Sequence, residues 1–111
     1  MLFCITCNYT PQALQAMAKS PGTNRAEAVT KLVKAAGGKV EAVYFQNAEG
    51  GPGAMVIMDV EPKDAAAINA LVSSTGMITN QKMVRLYRPD EIPALRARRN
   101  ELAAHYSPPG Q

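Results

Sequence analysis

The segment Ala54–Val60 constrains the fold most, because it places apolar side chains on both faces of a predicted β-strand. Successive side chains of a strand point to opposite faces, and here both sets stay apolar until Asp59. A strand with one face in water alternates apolar with polar residues instead. We therefore predict that protein covers this strand on both sides. One face holds Ala54, Val56, Met58 and Val60, and the other holds Met55 and Ile57.

Three further strands are predicted from runs rich in β-branched and aromatic residues, over residues 2–8, 39–46 and 79–87. The glycine-rich stretch 47–53 joins the second strand to the third as a flexible hairpin turn. It lacks the lysine and the following helix of a phosphate-binding loop.

Three helices are predicted between these strands from their N-terminal signals. Thr10 precedes a proline, Asn24 stands three residues before a glutamate, and Glu61 also precedes a proline. Apolar residues then recur with helical spacing and mark the faces expected to pack inward. These faces contain Ala13, Leu14 and Met17, then Val29, Leu32, Val33 and Ala36, then Ala65, Ile68, Leu71 and Val72.

The resulting order is β-α-β-β-α-β, followed by a last helix from Pro89 to about Ala104. This order is that of the ferredoxin-like fold. We therefore predict an α+β domain with a four-stranded antiparallel sheet, its helices on one face and an additional C-terminal helix. Residues 1–106 form this single domain and 107–111 form a flexible tail.

The helices can cover only one face of the sheet, and the other face measures ~400 Å². An apolar patch of that size is about the largest that monomers usually expose. The same face of a second copy could cover it, which would give a homodimer or larger assembly of the α+β-barrel type. The alternative is that the last helix folds back on the sheet through an apolar stripe that Arg99 interrupts. The stripe contains Ile92, Leu95, Leu102 and Tyr106.

Composition and charge favour a cytoplasmic protein without membrane or nucleic-acid partners. No apolar run approaches the ~20 residues that span a bilayer, and the N-terminus lacks the basic region of a signal peptide. The net charge is only +3 with few aromatic residues, which does not provide a surface for single-stranded nucleic acid. We interpret Arg96, Arg98 and Arg99 as a solvated helix face.

No metal site or cofactor is predicted. Cys4 and Cys7 are spaced C-x-x-C, but within a strand their side chains point to opposite faces and their Cα atoms are ~10 Å apart, which is too far for a disulfide. His105 is the only histidine, and it is interpreted as a surface residue near the tail. The catalytic residues, if any exist, stay unknown.

Four residues are candidates for ligand binding. Asn8 and Tyr9 lie where strand one meets the first helix, and there they could offer hydrogen bonds to a ligand at the sheet edge; alternatively Asn8 satisfies local backbone groups and Tyr9 packs. Arg25 could act as the counter-charge of an anion at the start of the second helix, or could be solvated or paired with Glu27. Tyr44 could line a cavity between sheet and helices, or could be an ordinary core tyrosine.

Several runs resemble the beginning of GYD-domain proteins: residues 7–17, Ser20-Pro21, residues 24–29 and residues 36–45. These are small bacterial proteins, named for a Gly-Tyr-Asp signature, and the likeness covers about residues 3–90. The resemblance implies a branch of the dimeric α+β-barrel superfamily and no settled biochemical function. The signature itself is replaced here by the turn Glu49–Gly53, so no role of its Tyr-Asp carries over.

Three functions stay open on the sequence alone. The chain is a homo-oligomeric module that binds a small, partly apolar molecule, or a structural oligomer without a ligand. Alternatively it is a cofactor-free enzyme of isomerase or monooxygenase-like type. A rise in melting temperature with only one chemical class of metabolite would favour the binding module, and a closed core without a pocket would favour the structural oligomer. A pocket that holds Asn8 or Tyr44 beside an unpaired ionisable group would favour the enzyme.

Overall fold

The computed structural model describes residues 1–110, apart from the side chain of Ala48. Gln111, the last residue of the predicted tail, lies outside the described residues. The elements are β1 (Leu2–Tyr9), α1 (Pro11–Lys19), α2 (Arg25–Ala35), β2 (Lys39–Ala48), β3 (Gly51–Asp59), α3 (Pro62–Ser73), β4 (Ile78–Leu86), a 3₁₀ turn (Pro89–Glu91) and α4 (Ile92–Ala103).

The four strands form one antiparallel sheet in the order β2-β3-β1-β4. This arrangement confirms the predicted α+β architecture with β1 and β3 at the centre. Phe3 pairs with Met58 on the face that the helices cover, and Cys4 pairs with Ile57 on the opposite face. The sheet therefore has a helix-covered face and an open face.

The core fills the space between the sheet and helices α2 and α3. Met58 is completely buried, and Val33 of α2 is almost as inaccessible. The remaining buried members of this cluster are Phe3, Ile5, Val60, Ala65 and Ile68. Leu71 was predicted to share the buried face of α3, but it is 53% exposed, because α3 turns the side of Ala65 and Ile68 toward the sheet.

The predicted N-caps of the first two helices are confirmed. The Thr10 hydroxyl accepts a hydrogen bond from the Ala13 amide at 3.2 Å, and it donates to the Gly76 carbonyl at 3.0 Å. The Asn24 side-chain oxygen accepts from the Glu27 amide at 3.2 Å. Thr10 therefore both begins α1 and joins it to the loop before β4, which fixes α1 beside the sheet.

Helix α4 extends away from the rest of the chain. Every residue from Pro93 to Gly110 is exposed, and the longest dimension of the chain is 58 Å against 22 Å for the shortest. The alternative in which the last helix folds back on the sheet is therefore wrong. Within residues 1–110, none of the helices combines the length and the apolar character needed to cross a bilayer.

Candidate functional site

A cavity of about 400 Å³ lies between the sheet and helices α1, α2 and α3, and it opens to solvent on one side. Its walls are mostly apolar. The core residue Ile5 forms part of these walls, and small residues line the space beside it. Cys7 and Ala54 are paired neighbours on the central strands, and Ala13 and Ala16 of α1 line the same space. These small side chains leave part of the space between sheet and helices unfilled.

The mouth of the cavity is framed by the connection between α1 and α2 together with the end of β2. A shallower hollow adjoins the cavity there. The two share Met17, Ser20, Thr23, Arg25 and Phe45. Phe45 is 58% exposed, so the rim combines a large apolar surface with hydroxyl groups and one guanidinium.

Tyr9 and Arg25 come together at this cavity. Burial raises the pKa of the Tyr9 phenol, the nearby Cys7 thiol adds to this increase, and the charge and hydrogen bonding of Arg25 oppose it. At neutral pH the Tyr9 hydroxyl is therefore protonated and can donate a hydrogen bond. Tyr9 and Arg25 present two donors to the same space.

Arg25 is the cationic side chain among the residues that line the cavity, and no carboxylate lines it in the part of the chain that the structure describes. Over residues 1–110, no carboxylate oxygen lies within 4.0 Å of its guanidinium. The rim of the cavity therefore carries a positive charge that these residues do not neutralise.

The two cysteines lie on opposite sides of the sheet, as the sequence predicts. Both are free thiols, and only Cys7 lines the cavity. Burial raises the pKa of each thiol, although a hydrogen bond from the Ala54 backbone lowers that of Cys7. Cys7 is thus a neutral, weakly polar part of the cavity wall at neutral pH.

Asn8 and Tyr44, the other two candidate residues, do not line the cavity. Asn8 is buried, donates to the Gly51 carbonyl at 2.8 Å and accepts from the Asn80 amide at 3.3 Å. Tyr44 pairs with Met55 and is 62% exposed on the open face. The structure therefore brings together Tyr9 and Arg25 but neither of the other two.

Sequence reasoning missed the small residues of the wall and Phe45 at the mouth. Alanines such as Ala16 and Ala54 carry no chemical signal in a sequence. Only the pairing of β1 with β3 and the packing of α1 on β1 bring them to the same cavity.

The same part of the chain, residues 1–110, contains no cluster of three histidine, cysteine or acidic side chains that could hold a metal ion. The sequence profile of the GYD domain matches residues 3–95, from β1 to the first turn of α4. A search of curated proteins finds no significant match.

Proposed function

The chain belongs to the GYD-domain family, and from its cavity we propose that it is a small-molecule-binding module that works as a homodimer. The cavity carries this proposal. Its volume of about 400 Å³ falls within the range of small-molecule sites, ~300–1,000 Å³. A purely structural oligomer has no need of such a space, and its core is expected to be closed.

The lining of the cavity supports binding of an apolar body. Protein interiors are otherwise packed with few voids larger than a water molecule. Water in this cavity contacts apolar walls, so a ligand that displaces it gains the free energy of removing that surface from water. The rim supplies the few polar groups that orient a ligand in such sites.

The chemistry of the lining favours binding over catalysis. The raised pKa values of Tyr9 and Cys7 keep the phenol and the thiol protonated near neutral pH, and a protonated thiol is a poor nucleophile. The residues that line the cavity include neither a carboxylate nor a histidine in the described part of the chain. A general base at neutral pH is therefore not provided by these walls.

The open face of the sheet supports the homodimer. It is defined by eight apolar side chains that alternate with the core residues: Leu2, Cys4, Ala42, Tyr44, Met55, Ile57, Val84 and Leu86. Tyr44 and Val84 are 62% and 54% exposed. No helix of the described chain packs on this face, because the helices of the core lie on the other side and α4 extends away.

The open face and helix α4 together offer the area for an interface with a second copy. The face alone provides ~400 Å², about half of the ~800 Å² that each partner buries in a stable interface. The exposed side chains Leu95 and Leu102 of α4 can supply further area. An isolated helix of 12 residues is marginal in water, so α4 also gains from packing on another chain.

The cavity is tested by filling it. We expect 4-phenylbutan-1-ol, a neutral apolar probe, to raise the melting temperature of the wild-type protein through ligand linkage. Ala16→Leu places a larger side chain in the cavity and should abolish this shift. The free energy of unfolding without the probe should stay as in wild type. Ala18→Leu is the matched control, because both alanines are exposed residues of α1 but Ala18 does not line the cavity, and it should bind the probe as wild type does.

Two results would contradict binding in the cavity. One is a wild-type melting temperature that the probe leaves unchanged. The other is an Ala16→Leu variant that is folded and binds the probe with wild-type affinity.

A further inference from the structure

We infer that the ligand of this cavity is an organic monoanion, with an apolar body inside and a carboxylate at the mouth held by Arg25 and Tyr9. The inference rests on the proposed function and adds the chemical class of the ligand. It depends on the pairing of an apolar cavity with one uncompensated cation at its rim.

The charge at the rim selects among head groups. A carboxylate that approaches Arg25 gains charge-assisted hydrogen bonds, which are about twice as strong as neutral ones. A guanidinium also matches the two oxygens of a carboxylate in a bidentate geometry. An ammonium group at the same place would be repelled, and an alcohol would gain only a neutral hydrogen bond.

Tyr9 adds a second donor from inside the cavity. Its hydroxyl is protonated at neutral pH, since even the ordinary pKa of tyrosine is 10.0 and burial raises that of Tyr9 further, and it lines the same cavity as Arg25. A carboxylate placed between them can accept from both groups. Neither donor has to lose a carboxylate partner from residues 1–110 when the ligand binds.

The number of cations favours a monoanion over a phosphate. Arg25 is the cationic side chain in the lining of both the cavity and the adjoining hollow, and no lysine contributes from the residues that the structure describes. A dianionic phosphate monoester at the mouth would keep about one uncompensated negative charge beside apolar walls, which is unfavourable.

The inference is tested with matched probes that share an apolar body. Octanoate and 4-phenylbutyrate are each compared with the corresponding alcohol and amine by isothermal titration calorimetry at pH 7. We expect the acid to bind about tenfold more tightly than the alcohol, in line with a hydrogen bond to a charged group, and the amine to bind more weakly than the alcohol. Arg25→Gln should weaken the acids about tenfold and leave the alcohols unchanged.

Arg96→Gln is the matched control, since it removes the same charge from an exposed position on α4 and should leave all affinities as in wild type. Tyr9→Phe should weaken the acids more than the alcohols. The inference would be overturned if the alcohols bind as tightly as the acids and Arg25→Gln leaves the affinity for the acids unchanged. The cavity would then be a neutral apolar site. If neither acids nor alcohols bind, the proposed function fails and the inference fails with it.

Discussion

The guanidinium of Arg85 lies 3.1 Å from the carboxylate of Glu91, and this pair joins the end of the sheet to the turn that precedes α4. The Arg85 guanidinium also stacks on the Tyr87 ring, 4.3 Å from its centroid. Glu91 in turn accepts a hydrogen bond from the Arg88 amide at 2.6 Å. The direction in which α4 leaves the domain is therefore fixed by contacts around one carboxylate.

The first prediction concerns pH. The Arg88 amide chiefly, and Arg85 next, lower the pKa of Glu91 in the folded protein. A lowered pKa stabilises the fold above the ordinary pKa of glutamate, 4.5, and this contribution is lost as the pH falls through the folded value. Glu91→Gln should therefore flatten the decrease in stability below about pH 4.5, measured as urea midpoints at a series of pH values.

The effect of Glu91→Gln on stability should be modest, because the carboxylate is solvent-exposed and exposed ion pairs contribute little to the free energy of unfolding. Glu49→Gln, in the exposed hairpin turn, is the control and should leave the decrease in stability at acidic pH unchanged. If the urea midpoints of Glu91→Gln decrease below pH 4.5 as steeply as those of wild type, these contacts do not stabilise the fold.

The second prediction concerns Gly53, which the sequence assigned to the hairpin turn but which lies on β3 and pairs with Asn8 of β1. A Cβ atom at this position would overlap the carbonyl oxygen of Cys7 on the neighbouring strand, and the backbone there cannot move without disturbing the β1–β3 pairing. Gly53→Ala should lower the free energy of unfolding by about 2 kcal/mol or more. Chemical denaturation measures this change.

Gly22→Ala provides the comparison for Gly53→Ala. No atom lies within 4 Å of a Cβ built at Gly22, and its φ is not positive, so alanine there should be neutral or stabilise the protein by up to about 1 kcal/mol. If both substitutions change the free energy of unfolding by the same amount, the close approach of position 53 to the Cys7 carbonyl does not exclude a side chain there.

The order of elements and the caps could be predicted from sequence because they depend on local chemistry. Thr10 and Asn24 begin their helices through a hydrogen bond to an amide three residues away, so the signal lies within one turn. Leu71 shows the limit of such reasoning. The helical period places it near Ile68, but its exposure depends on how far α3 rotates against the sheet, and no local pattern specifies that rotation.

The candidate site could be predicted only in part. The sequence marks Tyr9 and Arg25 as separate candidates, yet their approach depends on how α1 and the turn after it fold the 15 intervening residues back. Asn8 was chosen for the same polar chemistry, but its partners Gly51 and Asn80 come from distant segments. A polar side chain in a sequence does not show whether its hydrogen bonds go to a ligand or to the protein.

The third prediction tests the role of Asn8. Its buried side chain joins β1 to the hairpin turn and to β4, and Asn80, which holds a positive φ of 53°, is one of its partners. Asn8→Ala leaves the Gly51 carbonyl without this donor and should lower the free energy of unfolding by about 1–3 kcal/mol. The affinity for 4-phenylbutyrate, measured on the folded variant, should stay as in wild type. A specific loss of that affinity, with stability retained, would instead place Asn8 in the ligand site.

The fourth prediction concerns the homodimer. Ile57 lies on β3, at the centre of the open face, with Cys4 and Ala42 as its cross-strand neighbours. Ile57→Asp would bury a carboxylate in an apolar interface, which is strongly unfavourable for a charge without a partner. It should convert the protein to a monomer, as measured by light scattering after size-exclusion chromatography, while the folded domain persists because the side chain lies outside the core.

Leu71→Asp is the matched control for Ile57→Asp, because Leu71 is also an exposed apolar residue but lies on α3, away from the open face. It should remain a dimer. Leu95→Glu with Leu102→Glu should weaken dimerisation without abolishing it, since the helix supplies only part of the contact area. A wild-type protein that stays monomeric at high concentration would refute the homodimer, and so would an Ile57→Asp variant that dimerises as wild type does. Binding in the cavity does not depend on this outcome, because every residue of its lining comes from one chain.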